Sequence, residues 1–582
     1  MKEIQKAIQS GDYEKADTLL QEYLKKGAEY DDVTAVLDVN IGEYYGDRER
    51  IWNAIRKGLL FNCRNHELYV MLGNYYLSEN LDQAYLCYEN ALFYCCNDED
   101  RKLLTQLLEQ LKEEQQVAVN RTSIVILSCN SLEYTRFCIE SIRTTTLESG
   151  REIVVVDNAS EDGSVEWLRE QTDIILIENK ENKGFPAGCN QGIQACSPET
   201  DIFLLNSDAA LPVNALFWLR MGLYESRENG MAGSVSNYAR DQEAEGVEHV
   251  KNADELFTFA EKINVPMKYS GESKLSLIGF ALLVRRNVVD QVGLLDERFS
   301  PGNYEDNDYS LRVLTAGYRN ILCKNSFILH FGNVSFKNNS LDLLDIRARN
   351  LRKLNEKWGF DVAYYVYPRR ELIQLIEEET DMPLHILDIG CGCGAMMGCV
   401  KGIYPKAKVY GIEKVSKAAG IASHMGEVIC GDVEQVEFPW EEAYFDYIMM
   451  GDVLEHLMNP DRVLERLEKH LKPGGHIIVS MPNVKHYSVL LPLLRQDRFS
   501  YEDAGILDRT HVKLYTGTEI QRLILRCGYE IETIDLIGDR RPDEEEEKLI
   551  DGLCSLLEIS DKNSFLTYQY IVKARKQSKT PL

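Results

Sequence analysis

The pattern of hydrophobic and polar residues changes twice along this chain of 582 residues. From Met1 to about Val119 the sequence predicts helices almost throughout, with no proline and few β-branched residues. From Thr122 onward, short apolar runs end in polar turns and alternate with helical segments, a pattern typical of a parallel sheet with crossover helices. A helical stretch over roughly 340–379 leads to a second alternating region, which continues to about Lys573. The pattern therefore predicts a multidomain protein, with an all-α region followed by two α/β domains.

Short apolar runs define the predicted strands. In the first α/β region they lie at 123–127, 152–157, 173–178 and 201–205, with a helix over 135–143 between the first two. In the second they lie at 385–388, at 409–413, just before Gly431, at 444–450 and at 471–479.

Charge and cysteine content exclude several classes of protein. The chain has 65 basic and 93 acidic residues, a formal net charge of −28, which gives no general attraction to nucleic acid or anionic lipid. The first residues contain no apolar signal region, and no stretch reaches about 18 consecutive apolar residues. The 15 cysteines show no disulfide framework, as expected in a reducing compartment. We therefore expect a soluble, cytoplasmic protein without a transmembrane segment and without a nucleic-acid partner.

The N-terminal region repeats itself. The segments Gly11–Ala16, Gly46–Ile51 and Glu79–Ala84 recur at a spacing of about 34 residues, each with a turn followed by a helix. This arrangement resembles tetratricopeptide repeats, and a generic helical bundle is the alternative. The region has no evident catalytic constellation, so we expect it to bind a protein partner or to dock onto the rest of the chain.

Polar segments follow the predicted strands of the first α/β region, where ligands collect in open sheets. They are Ser128-Cys129-Asn130, 157–164, 182–190 and Asn206-Ser207-Asp208, followed downstream by 304–312, which contains Glu305 and Asp306, and by 330–336. In this order and spacing they resemble the family 2 glycosyltransferases of the GT-A fold. The resemblance covers residues 122–336, and its LLNSDA and HFGNVSF segments are similar to bacterial rhamnosyl- and related transferases of surface polysaccharides. It implies sugar transfer with inversion from a nucleotide-diphosphate sugar to a glycan or glycoconjugate acceptor.

The same resemblance assigns roles to individual residues. The nucleotide-sugar-binding residues are Ser128, Asn130, Asp157, Asn206 and Asp208. Asp157 is expected to bind the base, and Asp208 is the remaining carboxylate of a metal motif in which Asn206 replaces the first aspartate. His330 is the further metal ligand, and its imidazole fits Mn²⁺ better than Mg²⁺. The alternative is a structural histidine at a strand end, whose ring nitrogens form hydrogen bonds within the protein and bind no metal.

The acidic pair Glu305-Asp306 is expected to be catalytic. Asp306 matches the family's base, which takes the proton from the acceptor hydroxyl as that oxygen attacks the anomeric carbon. Glu305 is expected to raise the pKa of Asp306 by like-charge repulsion.

The second α/β region opens with a strand that ends in a glycine-rich turn, Gly390-Cys391-Gly392-Cys393-Gly394. Such a turn alone is weak evidence, because dinucleotide sites use similar turns. About 20 residues further on, a second strand ends in Glu413, which is placed to bind ribose hydroxyls, and the third is followed by Asp432, which is placed to bind the adenine amino group. The turn Leu471-Lys472-Pro473-Gly474-Gly475 and the LDIGCGCG segment disfavour an NAD reductase. Together the segments resemble class I S-adenosylmethionine-dependent methyltransferases.

This resemblance implies a cofactor site and an acceptor site. The expected cofactor-binding residues are Asp388, Gly390, Cys391, Gly392, Gly394, Glu413, Asp432, Val433 and Asp452. For the acceptor, His456 is the candidate general base, or Asp452, Glu455 and His456 together hold a cation. His511 resembles a substrate-side histidine of related enzymes.

These segments predict five parts of the chain. They are a helical repeat domain (1–119), a GT-A glycosyltransferase domain (120–337), a helical linker (338–380), a Rossmann-like methyltransferase domain (381–575) and a frayed tail (576–582). The fusion predicts a bifunctional enzyme that extends and O-methylates a glycan, with S-adenosylmethionine and Mn²⁺ or Mg²⁺ as cofactors. There are two alternatives. The first is an enzyme that acts on protein acceptors bound by the repeats, and the second is a scaffold whose catalytic domains have lost their activity.

Overall fold

A computed structural model describes residues 1–114, 117–239, 242–250, 252–332 and 343–577 of the chain. The chain divides into two compact units, Met1–Gly359 and Phe360–Leu582. No helix within the described ranges is both long enough and apolar enough to cross a membrane.

Seven helices fill the N-terminal region of the first unit. They are α1 (Lys2–Gln9), α2 (Tyr13–Lys25), α3 (Asp32–Tyr45), α4 (Arg48–Phe61), α5 (His66–Tyr76), α6 (Leu81–Tyr94) and α7 (Asp98–Glu114). The repeated turns of the sequence are helix boundaries: Gly46 ends α3 in the left-handed conformation, and the Asp47 carboxylate accepts from the Arg50 N–H at the start of α4. Asp12 and Asn80 cap α2 and α6 in the same way.

The rest of the first unit is built on an eight-stranded mixed sheet. Its strands are β1 (Arg121–Ser128), β2 (Arg151–Asp157), β3 (Ile174–Glu178), β4 (Thr200–Asn206), β6 (Asn229–Val235), β7 (Gly271–Lys274), β8 (Ala281–Val284) and β9 (Arg319–Phe327). They lie in the order β3-β2-β1-β4-β8-β6-β9-β7, and the first four are parallel. A separate pair, β5 (Ala209–Ala210) and β10 (Leu329–His330), brings His330 opposite Ala209.

Helices cover this sheet. They are α8 (Leu132–Thr145), α9 (Ser164–Arg169), α10 (Phe185–Ala195), α11 (Ala215–Leu223), α12 (Ala253–Ile263), α13 (Arg286–Val292), α14 (Glu305–Thr315) and α15 (Leu343–Trp358). α11 is buried along its whole length because it packs on the sheet and also against α6 of the N-terminal region.

The N-terminal helices share one continuous apolar core with the sheet domain. The Tyr69 ring packs edge-on against Phe217 at 5.4 Å between centroids. Asn214, which precedes α11, accepts from the Tyr94 hydroxyl at 2.8 Å and donates to the Cys63 carbonyl at 2.8 Å. The helical region is therefore docked onto the sheet domain, one of the two roles expected for it.

The second unit contains a seven-stranded sheet. Its strands are β11 (His385–Ile389), β12 (Lys408–Glu413), β13 (Glu427–Cys430), β14 (Phe445–Gly451), β15 (Leu471–Pro482), β16 (Tyr529–Ile537) and β17 (Gln569–Lys576). The order is β13-β12-β11-β14-β15-β17-β16, and β17 runs antiparallel to both of its neighbours. The helices of this unit are α16 (Val362–Tyr365), α17 (Arg370–Ile373), α18 (Ala395–Ile403), α19 (Ser416–Ala422), α20 (Pro460–His470), α21 (Tyr487–Gln496), α22 (Gly517–Arg526), α23 (Glu544–Leu556) and α24 (Asn563–Leu566).

The predicted fold class is confirmed: an all-helical region, a GT-A-like mixed sheet and a Rossmann-like sheet follow one another. The helical stretch expected over 340–379 is broken, since α15 ends before Gly359, which has a φ of 82°, and α16 and α17 each span only four residues. The segment 338–380 is divided between the two units, and the domain boundaries given above stay predictions. Residues 578–582 of the expected tail and Asn333–Phe336 of the HFGNVSF segment lie outside the described residues.

Candidate functional sites

The first candidate site lies at the carboxyl ends of β1, β2 and β4. The Ser128 hydroxyl is buried and lies 3.0 Å from the Thr135 hydroxyl. Asn130 has a φ of 50°, and its side-chain oxygen accepts from the Glu161 N–H at 2.8 Å. The loops after β1 and β2 therefore hold each other in place.

Asp157, the last residue of β2, is a buried carboxylate. Its Oδ1 accepts from the Ser160 N–H at 2.9 Å, whereas its Oδ2 is buried without a hydrogen-bond partner among the described residues. Burial raises the pKa of this carboxyl group. A buried acceptor left unpaired in the free protein is suited to receive an N–H group from a ligand.

Asp208 and His330 meet across the β5–β10 pair. The Asp208 Oδ1 lies 3.3 Å from the His330 Nε2, and both residues are buried. The His330 Nδ1 faces the Tyr238 carbonyl at 2.9 Å, which directs Nε2 toward the aspartate. The Asn206 amide nitrogen lies 3.5 Å from the same Nε2, and its Oδ1 is buried without a partner in the described part of the chain. Three of the predicted ligand-binding residues are thus brought together.

A two-residue segment, Gly279-Phe280, connects this group to the predicted base. The Gly279 N–H donates to the Asp306 Oδ2 at 2.9 Å. The Phe280 carbonyl accepts from the Asn206 N–H at 2.9 Å, and the Phe280 ring stacks on the His330 ring at 4.9 Å between centroids. Asp306 therefore lies at the same site as Asp208 and His330, although about 100 residues separate it from Asp208 in the sequence.

The acidic pair begins α14. Burial raises the pKa of Asp306, while bonds from the Gly279 and Asn307 N–H groups act in the opposite direction. Burial and the charge of Asp306 raise the pKa of Glu305 well above its ordinary value. Burial and the repulsion between the two carboxyl groups thus raise the pKa values of the pair, and the effect of Glu305 on the pKa of Asp306 stays a prediction.

The second candidate site lies at the carboxyl end of β11. Gly390, Gly392 and Gly394 have φ values of 68°, 54° and 85°, a left-handed backbone that favours glycine. The Gly392 N–H donates to the Glu413 Oε2 at 2.9 Å, and the Cys393 N–H donates to the Tyr365 carbonyl at 3.0 Å. A Cβ atom on Gly392 would lie 2.9 Å from that carbonyl oxygen, so the turn has no room for a side chain there.

Two buried carboxylates flank this turn. Both oxygens of Asp388 are buried without partners among the described residues, and burial together with the charge of Glu413 raises its pKa well above the ordinary value. Burial also raises the pKa of Glu413, whose Oε1 accepts from the Val415 N–H at 2.7 Å. Buried acceptors thus lie on both sides of a backbone turn at the carboxyl ends of β11 and β12, where ligands collect in open sheets.

The remaining predicted cofactor residues lie at the next strand ends. Asp432 accepts from the Glu434 N–H at 2.9 Å and pairs with Lys414 at 3.3 Å, and Val433 is buried. Asp452 follows β14 with a φ of 55° and is held by the Ser480 hydroxyl at 2.9 Å.

Asp452 also pairs with Arg369 and accepts from the Gln569 amide. Sequence reasoning did not identify Arg369, Gln569 or Tyr365. Arg369 and Tyr365 lie in the segment predicted as a linker, and Gln569 lies on the last strand, so no local motif marks any of the three.

His456 and His511 meet beside Asp452, with 4.8 Å between ring centroids. The Nδ1 of His456 faces the Thr510 carbonyl at 3.2 Å, and the Nδ1 of His511 faces the Ile506 carbonyl at 2.9 Å. Burial and the charge of His511 lower the pKa of His456. Glu455 is buried with its Oε2 unpaired in the described part of the chain, and its carboxylate lies within 4.8 Å of ligand nitrogens of both histidines.

Comparison with known families identifies both α/β domains. Residues 123–291 match the family model of glycosyl transferase family 2, and residues 362–534 match that of a methyltransferase domain. The chain therefore contains a family 2 glycosyltransferase domain and a methyltransferase domain, as the two resemblances predicted.

Individual relatives match parts of the chain. The trans-aconitate 2-methyltransferase of Deinococcus radiodurans is 30% identical over 145 residues, which are 24% of this chain and 53% of that protein. The mitochondrial ubiquinone biosynthesis O-methyltransferase of Rattus norvegicus is 26% identical over 163 residues, which are 26% of this chain and 46% of that protein. The chain thus spans about half the length of these relatives.

Solved structures match at low overall scores. A structure of GalNAc-T7 with UDP, GalNAc and Mn²⁺ has a TM-score of 0.30 and 14% identity, and it covers 36% of this chain and 44% of its own. A structure of a methyltransferase from Archaeoglobus fulgidus has a TM-score of 0.28 and 18% identity, and the match covers 38% of this chain and 98% of that structure's chain. At these scores neither likeness carries an argument about function.

Proposed function

We propose that this chain is a bifunctional enzyme that transfers a sugar from a nucleotide-diphosphate sugar to a glycan acceptor with inversion, and a methyl group from S-adenosylmethionine to an acceptor hydroxyl. The observation that carries the proposal is that the Gly279-Phe280 segment contacts both Asp306 and His330, and that His330 lies 3.3 Å from Asp208. A base and a diphosphate-binding group at one site are what an inverting transfer needs. The glycan is proposed to belong to a surface polysaccharide or a related glycoconjugate.

The glycosyltransferase site is proposed to separate donor and acceptor roles. Asp157, whose Oδ2 has no partner among the described residues, binds an N–H group of the nucleotide base. Ser128 and Asn130 lie at the neighbouring end of β1. Asp306 holds its carboxylate toward the acceptor through the Gly279 N–H, and it takes the acceptor hydroxyl proton on one of its oxygens as the new bond forms. The sugar is transferred with inversion because this base and the diphosphate act from opposite faces of the anomeric carbon.

A divalent cation fits the other half of this site. Asp208, His330 and the Asn206 Oδ1, which has no partner in the described part of the chain, offer a carboxylate, an imidazole and an amide oxygen, a mixed donor set that suits Mn²⁺. When bound, the cation would neutralise the charge of the diphosphate leaving group. The Tyr238 carbonyl and the Phe280 ring hold the imidazole in the required orientation.

The methyltransferase site is proposed to bind S-adenosylmethionine on the glycine turn. Asp388 and Glu413 offer buried acceptors, Glu413 to the ribose hydroxyls, and Asp432 and Val433 line the adenine side. The cofactor supplies an activated methyl group, so the protein needs only to bind, orient and deprotonate the acceptor. His456 suits deprotonation because its lowered pKa keeps the imidazole neutral, and the Thr510 carbonyl places the ring proton on Nδ1, leaving Nε2 to accept.

A panel of nucleotide sugars tests the glycosyltransferase proposal, with release of the nucleoside diphosphate as the measurement. We expect one sugar nucleotide to be turned over, and we expect Asp306→Asn to abolish the release while binding the same nucleotide within a few-fold of the native chain. A matched control is Asp290→Asn, an exposed carboxylate on α13. Native turnover in Asp306→Asn, or no turnover of any donor, would overturn the proposal.

A further inference from the structure

Helix α15 (Leu343–Trp358) follows the region matched by the glycosyltransferase family and was predicted as part of a linker. It packs instead against the segment 296–304, which leads into the Glu305-Asp306 pair. Arg349 donates to the Ser300 carbonyl at 3.2 Å, and Arg347 donates to the Asn303 side chain at 3.2 Å. The helix thus contacts the backbone segment that immediately precedes the proposed base, Asp306.

That backbone has an unfavourable conformation immediately before the base. Asn303 and Tyr304 have φ values of 74° and 75°, so two successive residues with side chains occupy the left-handed region. Such positions persist only where neighbouring groups hold them, and they concentrate at functional sites. Any loss of support here would let the start of α14 move.

Asn350 is the residue that supports this turn. It is fully buried, and its side-chain amide donates to three carbonyls of the segment: Phe299 at 2.6 Å, Gly302 at 2.9 Å and Asn303 at 3.3 Å. An asparagine amide has only two N–H groups, so all of its donor capacity is used on this one turn.

The end of the same helix holds the other side of α14. Lys357 donates to Asp308 at 2.8 Å and to Asp296 at 2.7 Å, and the Trp358 indole donates to Asp308 at 3.1 Å. Asp308 lies one turn or less from Asp306 on α14, and its side chain is fully buried. Residues of α15 therefore fix both the turn before Asp306 and the helix that carries it.

We propose that Asn350 is a positioning residue for sugar transfer, which holds the turn at Asn303-Tyr304 so that Asp306 faces the Gly279-Phe280 segment. This inference rests on the proposed glycosyltransferase function. Asn350 acts through Asp306 and does not itself contact the donor, whose proposed ligands lie on other elements. Its loss should therefore lower the rate of the chemical step and leave donor binding intact.

The test compares Asn350→Asp with Asn350→Leu in the full chain, using the nucleotide sugar that the native chain turns over. Asn350→Asp keeps the size of the side chain but removes its N–H donors, and Asn350→Leu removes both polar groups. We expect kcat to fall by about 100-fold in each, since a displacement of about 1 Å at a reacting group has an effect of this size. The KM for the nucleotide sugar should stay within about 3-fold of native, because the donor ligands do not move.

Two further variants separate the effect of Asn350 from a general effect of changing this helix. Arg352→Ala is the control, because Arg352 lies exposed on the same helix and among the described residues bonds only to the Ala348 carbonyl within that helix, so kcat should be unchanged. Asn303→Gly added to Asn350→Leu should restore part of the lost kcat, because glycine adopts the left-handed turn without that support.

Retention of native kcat in Asn350→Asp would overturn the inference, as would a raised KM at unchanged kcat. An unchanged circular dichroism spectrum and unchanged thermal unfolding of the chain check that each variant is folded. If the native chain turns over no nucleotide sugar, the proposed function itself fails; if it does and Asn350→Asp matches it, only this inference fails.

Discussion

Replacing Glu89 by alanine should loosen the contact between the N-terminal helices and the glycosyltransferase domain. Glu89 on α6 forms an ion pair with Arg220 on α11, and their side chains are only 15% and 9% exposed. Removing one partner of a buried pair leaves the other charge buried and uncompensated, which costs about 3–5 kcal/mol. Arg220 keeps one further bond, to the Asn120 carbonyl at 3.0 Å, so we expect the lower end of that range.

Amide hydrogen exchange of α11 measures this cost directly. A loss of about 3 kcal/mol corresponds to exchange that is about 100-fold faster, since each 1.4 kcal/mol is a factor of ten. The matched control is Arg64→Ala, which removes an ion pair between the same two parts of the chain. That pair, Arg64–Glu261, is exposed at 57% and 41%, so its loss should cost less than about 1 kcal/mol. Equal exchange in the two variants would refute the reasoning that burial sets the strength of this contact.

Three other predictions concern metal, domain and pH. Sugar transfer should stop when EDTA removes divalent cations and should return when Mn²⁺ is added. The His330→Ala variant should need a higher Mn²⁺ concentration for its half-maximal rate. Full activity after chelation would exclude the Asp208–His330 metal site. The fragment 360–582 should fold and bind S-adenosylhomocysteine in calorimetry. The shorter fragment 380–582 lacks Tyr365 and Arg369 and should bind it more weakly. Equal binding by the two fragments would show that these two residues do not contribute to the site. Burial lowers the pKa of His486 to about 4, and the unfolded chain therefore takes up its proton first. His486 should therefore lower the stability of the fragment by up to about 3 kcal/mol as the pH falls from about 6.5 to about 4, whereas buried carboxyl groups with a raised pKa, such as Asp388, act in the opposite direction. The difference in thermal unfolding between the native fragment and His486→Phe isolates this loss, and a difference that does not change with pH would contradict it.

Five of the strands that the sequence predicted share one physical property, whereas β3 and β13, also predicted, are half-buried or exposed along their length. The core residues of β1, β2, β4, β11 and β14 are buried on both faces of parallel sheets, so they form unbroken apolar runs that are visible without a structure. β6 was not predicted, because its sequence Asn229–Val235 contains two glycines and a serine, and it becomes a strand only by pairing with β8 and β9.

The residues of the candidate sites likewise include some that the sequence predicts and some that it does not. Asp157, Asp208, Asp388 and Glu413 stand next to predicted strands, so their place at a sheet edge follows from the sequence. Asn350 and Arg369 could not be found in this way. Asn350 bonds to carbonyl groups about 50 residues away, and any residue type supplies a carbonyl, so the sequence carries no sign of the contact.

The proposed bifunctional activity predicts that the two domains act on one glycan, and a doubly labelled product tests this most directly. The chain is supplied with an acceptor, the sugar nucleotide labelled in its sugar and S-adenosylmethionine labelled in its methyl group. We predict that both labels appear in a single product, because the linkage keeps the product of one site near the other. Asp306→Asn should lose both labels, and Glu413→Ala should lose only the methyl label. Methyl label retained at the native level in Asp306→Asn, or the two labels in separate products, would contradict the account.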